Sequence, residues 1–218
     1  MNTSRTGRLR SSGSTGNAPP ISIVNVGYRS TNYWVVSTGR SRLLVDLGWP
    51  GTMGAMRANL DRMGVPLGEI RYGLATHYHP DHAGLAEDLK HAGVPLLVLD
   101  VQTAAIPALE AITKPRDGYT SITAQGNLTI TCAESRAVLE RIGVSGEIVH
   151  TPGHSDDSIS LLLDDGSVFT GDLTPPALAG DTDGRVARES WNELRRRGAT
   201  RVYPGHGASG PLRLPWEE

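Results

Sequence analysis

The stretch THYHPDH, residues 76 to 82, gathers three of the chain's seven histidines and one aspartate. Alternate side chains of an extended segment share a face. His77 and His79 therefore converge on one point while Tyr78 turns away. Pro80 stops the extended run, and Asp81 and His82 follow on the turn into a helix, within reach of a second point. Two imidazoles on one side, with a carboxylate and an imidazole on the other, form the donor mix of a zinc site. Four donors do not fill two metal sites. Three further stretches supply the remainder: TPGHS with His154, FTGD with Asp172 and YPGHG with His206. Each falls where a strand gives way to a loop, so a rigid sheet can aim the ligand. Each follows a glycine, which lets the backbone turn tightly. His91 and His150 read as helix-surface and strand residues without a role.

The elements that must position these groups alternate along the chain. ISIVNV reads as a strand, and NYWVVST with SRLLVDL as a hairpin through a Gly-Arg turn. MGAMRANLDRMG is a helix stopped by Gly64. The apolar strand IRYGLAT delivers the histidine motif, the helix AGLAEDLKHAG leaves it, and the strand PLLVLD follows. QTAAIPALEAI reads as helical and residues 113 to 126 as a loop. Then come a strand in NLTITC, a helix in SRAVLERIG, a strand in GEIVHT, the hairpin SISLLLD–SVFTGD, the helix RVARESWNELRRRG and TRVYPG as the final strand. Strands and helices alternate in both halves, which predicts an α/β architecture with helices covering sheets. LLVDLGWP and VFTGDLTP each run from an apolar strand to Asp-Leu and then proline, a hint of two related halves facing a shared site.

Composition narrows the function classes. The 218 residues allow one sizeable core, and a net charge of −2 gives no electrostatic case for a nucleic-acid or membrane partner. One cysteine, Cys132, excludes an internal disulfide and a thiolate cluster; it reads as a small strand residue. No apolar run is long enough to span a bilayer. Residues 1 to 20 are rich in Ser, Gly, Thr and Arg and lack the apolar middle of a secretory signal. They are expected to be a disordered tail before a single domain at 21 to 218, in a cytoplasmic protein. Nineteen arginines against two lysines fit genome composition better than function. The triple arginine at 195 to 197 reads as a helix C-terminus favoured by the dipole and ended by Gly198.

In the order THYHPDH, TPGHS, GDL and PGHG, the chain from residue 21 onward resembles the metallo-β-lactamase-fold hydrolases. The resemblance implies an αβ/βα sandwich of four layers with two metals between its sheets. It implies His77, His79 and His154 on one metal, Asp81, His82 and His206 on the other, Asp172 bridging both, and Asp46 as a buried supporting residue. A glutamate stands at the position of His79 in the family's di-iron oxygen reductases, so that branch is disfavoured. An aspartate at 172 points to the dinuclear ester, thioester and lactone hydrolases. The ligand set is like that of glyoxalase II, but only twelve residues follow His206, too few for that enzyme's glutathione-binding helical domain.

The expected chemistry follows from that ligand set. Two zinc ions roughly 3.5–4 Å apart share one hydroxide, whose parent water has its pKa lowered toward about 7. Iron or manganese would suit the same donors. Asp81 and Asp172 neutralise the cations and orient the hydroxide for attack on an acyl carbon. A thiolate or alkoxide leaves with direct help from a metal, whereas an amide nitrogen normally needs a proton. Thioester, ester or lactone hydrolysis therefore ranks above β-lactam hydrolysis. Its rivals are a mononuclear iron oxygenase of the same fold and a protein that holds metal without turnover. Trp49 and Met53, after the first Asp-Leu, and Tyr119, in the loop 113 to 126, are candidates to contact a small acyl substrate. That loop and PPALAGDTDG at 175 to 184 are candidate flaps.

Overall fold

The computed structural model describes residues 21 to 39, 41 to 179 and 184 to 217. The expected tail at 1 to 20 and part of the loop 175 to 184 lie outside the described residues. The first half of the chain makes one sheet. β1 (Ile21–Asn25), β2 (Trp34–Thr38) and β3 (Ser41–Val45) form an antiparallel meander. α1 (Met53–Arg62) then crosses to β4 (Ile70–Leu74), parallel to β3. Two short helices, α2 (Pro80–Ala83) and α3 (Ala86–His91), lead to β5 (Leu96–Leu99), and α4 (Ala105–Ile112) leads to β6 (Asn127–Ile130). The six strands lie in chain order.

The second half makes the other sheet. After α5 (Ser135–Arg141) come β7 (Gly146–His150), β8 (Ile159–Leu163) and β9 (Ser167–Gly171), antiparallel in turn. α6 (Arg185–Arg196) crosses to β10 (Arg201–Pro204), parallel to β9. A two-residue strand, β11 (Gly210–Pro211), pairs with the edge of β10, so TRVYPG is not the last strand. Glycine and proline carry no strand signal; only the free edge of β10 makes one of them. β1-β2-β3-α1-β4 and β7-β8-β9-α6-β10 share order, pairing and crossover, which is the internal repetition hinted at by the two Asp-Leu stretches.

Alternation within the strands explains the layers. In β2, Val35 faces the helices α1 and α3 while Trp34 and Val36 face the other sheet. In β9, Val168 faces α6 and Phe169 faces inward. Both sheets are covered on both faces, so these strands are apolar throughout. The layers run α1, α3 and α4, first sheet, second sheet, α6. α5 departs from this pattern. Its Val138 and Leu139 join the inner core with Leu97, Leu99 and Ile130, and its Ser135 hydroxyl accepts the Ile148 N–H of β7. The helix expected at 83 to 93 is broken instead into α2 and α3. Gly84 sits between them against Pro50, where a Cβ would come within 2.3 Å of the proline ring.

Parallel pairing puts the ends of β3 and β4 on one edge of the first sheet and those of β9 and β10 on the matching edge of the second. β7 runs with β9, so its end lies there too. Phe169, the chain's one phenylalanine, stacks on Tyr203 at 4.9 Å between centroids and meets Trp34 edge-on at 6.3 Å. Phe169→Ala should therefore cost about 3–5 kcal/mol, measured by chemical denaturation; a loss under about 1 kcal/mol would mean that the inner core is not shared between the sheets.

Candidate metal centre

The seven side chains picked from the sequence meet at the common edge of the two sheets. His77 and His79 follow β4, and Asp81 and His82 sit in α2. His154 lies between β7 and β8, and Asp172 and His206 follow β9 and β10. One ligand atom from each of His77, His79 and His154 lies within 4.8 Å of the others. The same holds for Asp81, His82 and His206, and for His77, His82 and Asp172, which join the two groups. His79 Nδ1 is 3.1 Å from His154 Nε2. Asp172 reaches both groups, with His82 Nε2 at 3.3 Å, His206 Nε2 at 3.4 Å and His154 Nε2 at 3.8 Å. Asp81 Oδ2 is 3.2 Å from His206 Nε2. His77 and His82 are fully buried at the floor, while His154 and His206 stand at the open rim.

The far side of the rings is held as well. His206 Nδ1 lies 2.8 Å from the Ser30 carbonyl, which can only accept, so the proton sits on Nδ1. His82 Nδ1 lies 2.9 Å from Asp46 Oδ2. Thr76 donates both its N–H and its hydroxyl to Asp46 Oδ1, each at 2.8 Å. That hydroxyl oxygen in turn faces His77 Nδ1 at 3.2 Å. His77 and His206 thus keep an Nε2 lone pair toward the centre, and His82 Nε2 faces it beside Asp81 and Asp172, the arrangement that orients metal-bound imidazoles. His77 Nε2, His82 Nε2 and Asp172 Oδ1 are buried with no hydrogen-bond partner. Buried polar atoms without partners are costly. Lone pairs converging with carboxylates are the donor set a divalent cation satisfies, so these residues fit one.

A model of the metallo-beta-lactamase superfamily matches residues 26–206. The chain belongs to this superfamily. A lactamase-like protein of Pestalotiopsis microspora is 31% identical over 184 residues, covering 82% of this chain and 50% of its own length. A similar protein of Trichophyton rubrum is matched over 50% of its length, so the chain spans about half of these relatives. A probable metallo-hydrolase of Methanocaldococcus jannaschii is 29% identical over 196 residues, 84% of this chain and 90% of that protein. A metallo-beta-lactamase family protein from Thermus thermophilus superposes with a TM-score of 0.65 over 87% of this chain and 74% of its own. At 21% identity that likeness is one of fold. It bears out the α/β sandwich of two sheets.

Electrostatics within the superfamily site are strongly coupled. Burial holds His77 well below the ordinary imidazole range, and His82, His79 and His154 press it the same way. Burial also disfavours a charged His82, but Asp46, Asp172 and Asp81 outweigh it and hold its pKa well above the ordinary value. Burial would raise Asp81 and Asp172; contact with His82 brings both below the usual carboxylate range. The three carboxylates thus favour a positive charge at His82. A divalent ion would supply positive charge instead.

Other expected residues fall around this superfamily site in different ways. Trp49 flanks it, donating from Nε1 to Thr31 Oγ1 at 3.2 Å. Met53 and Tyr119 pack against the core beneath the first sheet, and the Tyr119 hydroxyl is buried. The loop 113 to 126 is tied down. Thr123 donates to Glu87 through N–H and hydroxyl, and its carbonyl accepts from Lys90. Arg195, Arg196 and Arg197 pair with Glu217, Glu193 and Glu147, as their reading as a structural helix end requires. Among the described residues, no helix is long and apolar enough to cross a membrane.

Several supporting residues had no assigned part in the sequence reading. Thr76 was in plain view as the first letter of THYHPDH. Asp157 accepts the Tyr78 N–H at 2.7 Å, and Gln102 donates to the Ala75 carbonyl. Thr31 donates to Asp81 Oδ2 at 3.1 Å across 50 positions, which no local pattern announces. Gly205 closes the back of the site. A Cβ there would lie 2.5 Å from Asp172 Oδ1 and 2.6 Å from His82 Cε1. Gly205→Ala should thus lose about 1–3 kcal/mol on urea denaturation, whereas Gly68→Ala, with nothing within 4 Å of its Cβ, should change little; equal effects would contradict this packing.

Proposed function

We propose that the protein is a dinuclear metal-dependent hydrolase that cleaves an acyl bond in a small thioester, ester or lactone. The observation that carries this reading is Asp172. Its carboxylate lies between the His77–His79–His154 group and the Asp81–His82–His206 group, in reach of both. In this reading each group would hold one cation, and Asp172 would be a ligand to both. Zinc suits the nitrogen and oxygen donors best, and iron or manganese would also be accepted. Bound cations supply an activated water near neutral pH and polarise a carbonyl oxygen.

The chain's own residues do the positioning. Asp81 and Asp172, as carboxylates, would accept hydrogen bonds from a water at the centre and so aim its lone pair. Thr31 keeps the Asp81 carboxylate turned toward His206. The rim, where His154 and His206 are exposed, is the entrance. None of the assigned catalytic side chains is set aside to protonate a leaving nitrogen, which favours thiolate and alkoxide leaving groups. The lactamase-like relatives keep a second reading in play, hydrolysis of a β-lactam, whose strained ring nitrogen needs less help.

Metal analysis of the purified chain should find two ions per molecule; a single iron would favour the oxygenase rival. Asp172→Ala should lower the metal content and reduce kcat/KM at least a hundredfold on a thioester, lactone and chromogenic β-lactam panel. Full metal content with ordinary turnover would remove Asp172 from its bridging role. Asp46→Asn keeps the shape but not the charge behind His82, and should weaken metal binding about 10- to 100-fold in chelator competition.

A further inference from the structure

The turn between β1 and β2 bends back on the metal centre. Ser30 offers its carbonyl to His206, and Thr31 bonds Asp81. Arg29, in the same turn, has φ +58°. Among the described residues Asp46 is the other non-glycine with positive φ. Residues with a Cβ adopt this region at a cost, and such positions cluster at functional sites. The Arg29 guanidinium carbon lies 5.7 Å from the Trp49 ring centroid and 5.4 Å from that of Tyr28. Among the described residues no carboxylate pairs with it and no carbonyl accepts its N–H groups.

Arg29 and Trp49 line a cavity of about 350 Å³ with Pro50, Pro80 and Ile112. Pro80 stands between His79 and Asp81, so one wall of this cavity is the back of the metal-binding segment. A second wall is wired to the centre: Trp49 donates to Thr31, and Thr31 donates to Asp81. Polar groups at the cavity's far side are already engaged. Thr113 donates to helix carbonyls and Asp117 accepts the Lys114 N–H. The cavity thus offers a ligand apolar side chains and the Arg29 guanidinium at one end, with the Asp117 carboxylate at the other, so an anion would sit at the Arg29 end.

A guanidinium lying over the Tyr28 and Trp49 rings, with no carboxylate paired to it among the described residues, has an N–H fork to offer, and that fork matches a planar carboxylate. We propose that Arg29, set beside Tyr28 and Trp49, anchors a carboxylate carried by the substrate, making this a hydrolase of anionic acyl compounds. The inference rests on the hydrolase reading above for the word substrate, but not for the binding site itself. Arg29 is a specificity residue here, and Trp49 links its position to Asp81 through Thr31.

The test uses zinc-loaded protein and two probes that attach to the metal through the same thiol, 4-mercaptobutanoate and its neutral amide, compared by calorimetry. Wild type should bind the acid at least about tenfold tighter than the amide, as a charge-assisted hydrogen bond provides. In Arg29→Gln that ratio should fall to near one, and Arg29→Lys, with charge but no fork, should restore only part of it. Equal binding of acid and amide by wild type, or a preference that survives Arg29→Gln, overturns the proposal. Arg29→Gly supplies a folded control, since glycine takes this φ freely; it too should lose the preference, and retention of the preference would overturn the proposal. An acid preference without turnover of any acyl compound would leave the anion site standing and remove the hydrolase. Turnover that is indifferent to a substrate carboxylate, with no acid preference, would do the reverse.

Discussion

Everything at the metal centre leans on one buried carboxylate, Asp46. It sits at the end of β3 with φ +66° and is almost wholly enclosed. A charge in such a place survives only if its lone pairs are satisfied. Thr76 satisfies one oxygen twice, and His82 meets the other. Those contacts fix the start of the histidine motif, the tilt of the His82 ring and, through the Thr76 hydroxyl, the His77 ring as well. Asp46 touches neither rim histidine, yet it decides which nitrogens face inward at the floor.

The second constraint is the seam between the sheets. Ile159 N–H donates to the Thr76 carbonyl, and Gln102 spans Ala75 and Asp157. On the other side Asn32 binds the backbone around Gly205, and the Trp34 indole donates to the Pro204 carbonyl. These bonds cross from one half of the chain to the other at the edge where the ligands emerge. Four of the seven metal-centre residues come from the first half and three from the second, so neither half holds the complete centre. The repeated strand–strand–helix–strand unit explains why two aspartates, Asp46 and Asp172, end equivalent strands. One has sunk behind the site and the other has stayed at its centre.

Close approach sets the remaining limits. Gly171 has φ +52° and lies so near Thr76 that a Cβ would come within 2.2 Å of its hydroxyl oxygen. Gly205 is wedged against His82 and Asp172 in the same way. The glycine before His206 and the one before Asp172 therefore do more than permit a turn. They let strands from the second sheet press against the motif from the first, and this brings both the His77–His79–His154 group and the Asp81–His82–His206 group within reach of Asp172.

Much of this was legible from residue order. Strand and helix positions follow from two- and 3.6-residue periodicity, which is local. The candidate metal ligands stand out because histidines and aspartates at strand ends are few and closely spaced. The short strand at Gly210–Pro211, the break at Gly84 and the inward packing of α5 were not legible, because each depends on a neighbour far away in sequence. The same holds for Thr31, Ser30 and Gln102, whose partners lie tens of positions away or more. The sequence by itself determined which groups could bind a cation and which faces had to be buried, since those are properties of side chains and local period. Only the tertiary structure decided which nitrogen of each ring points inward and what stands behind it, because hydrogen bonds across the sheet edge, not residue types, orient a ring.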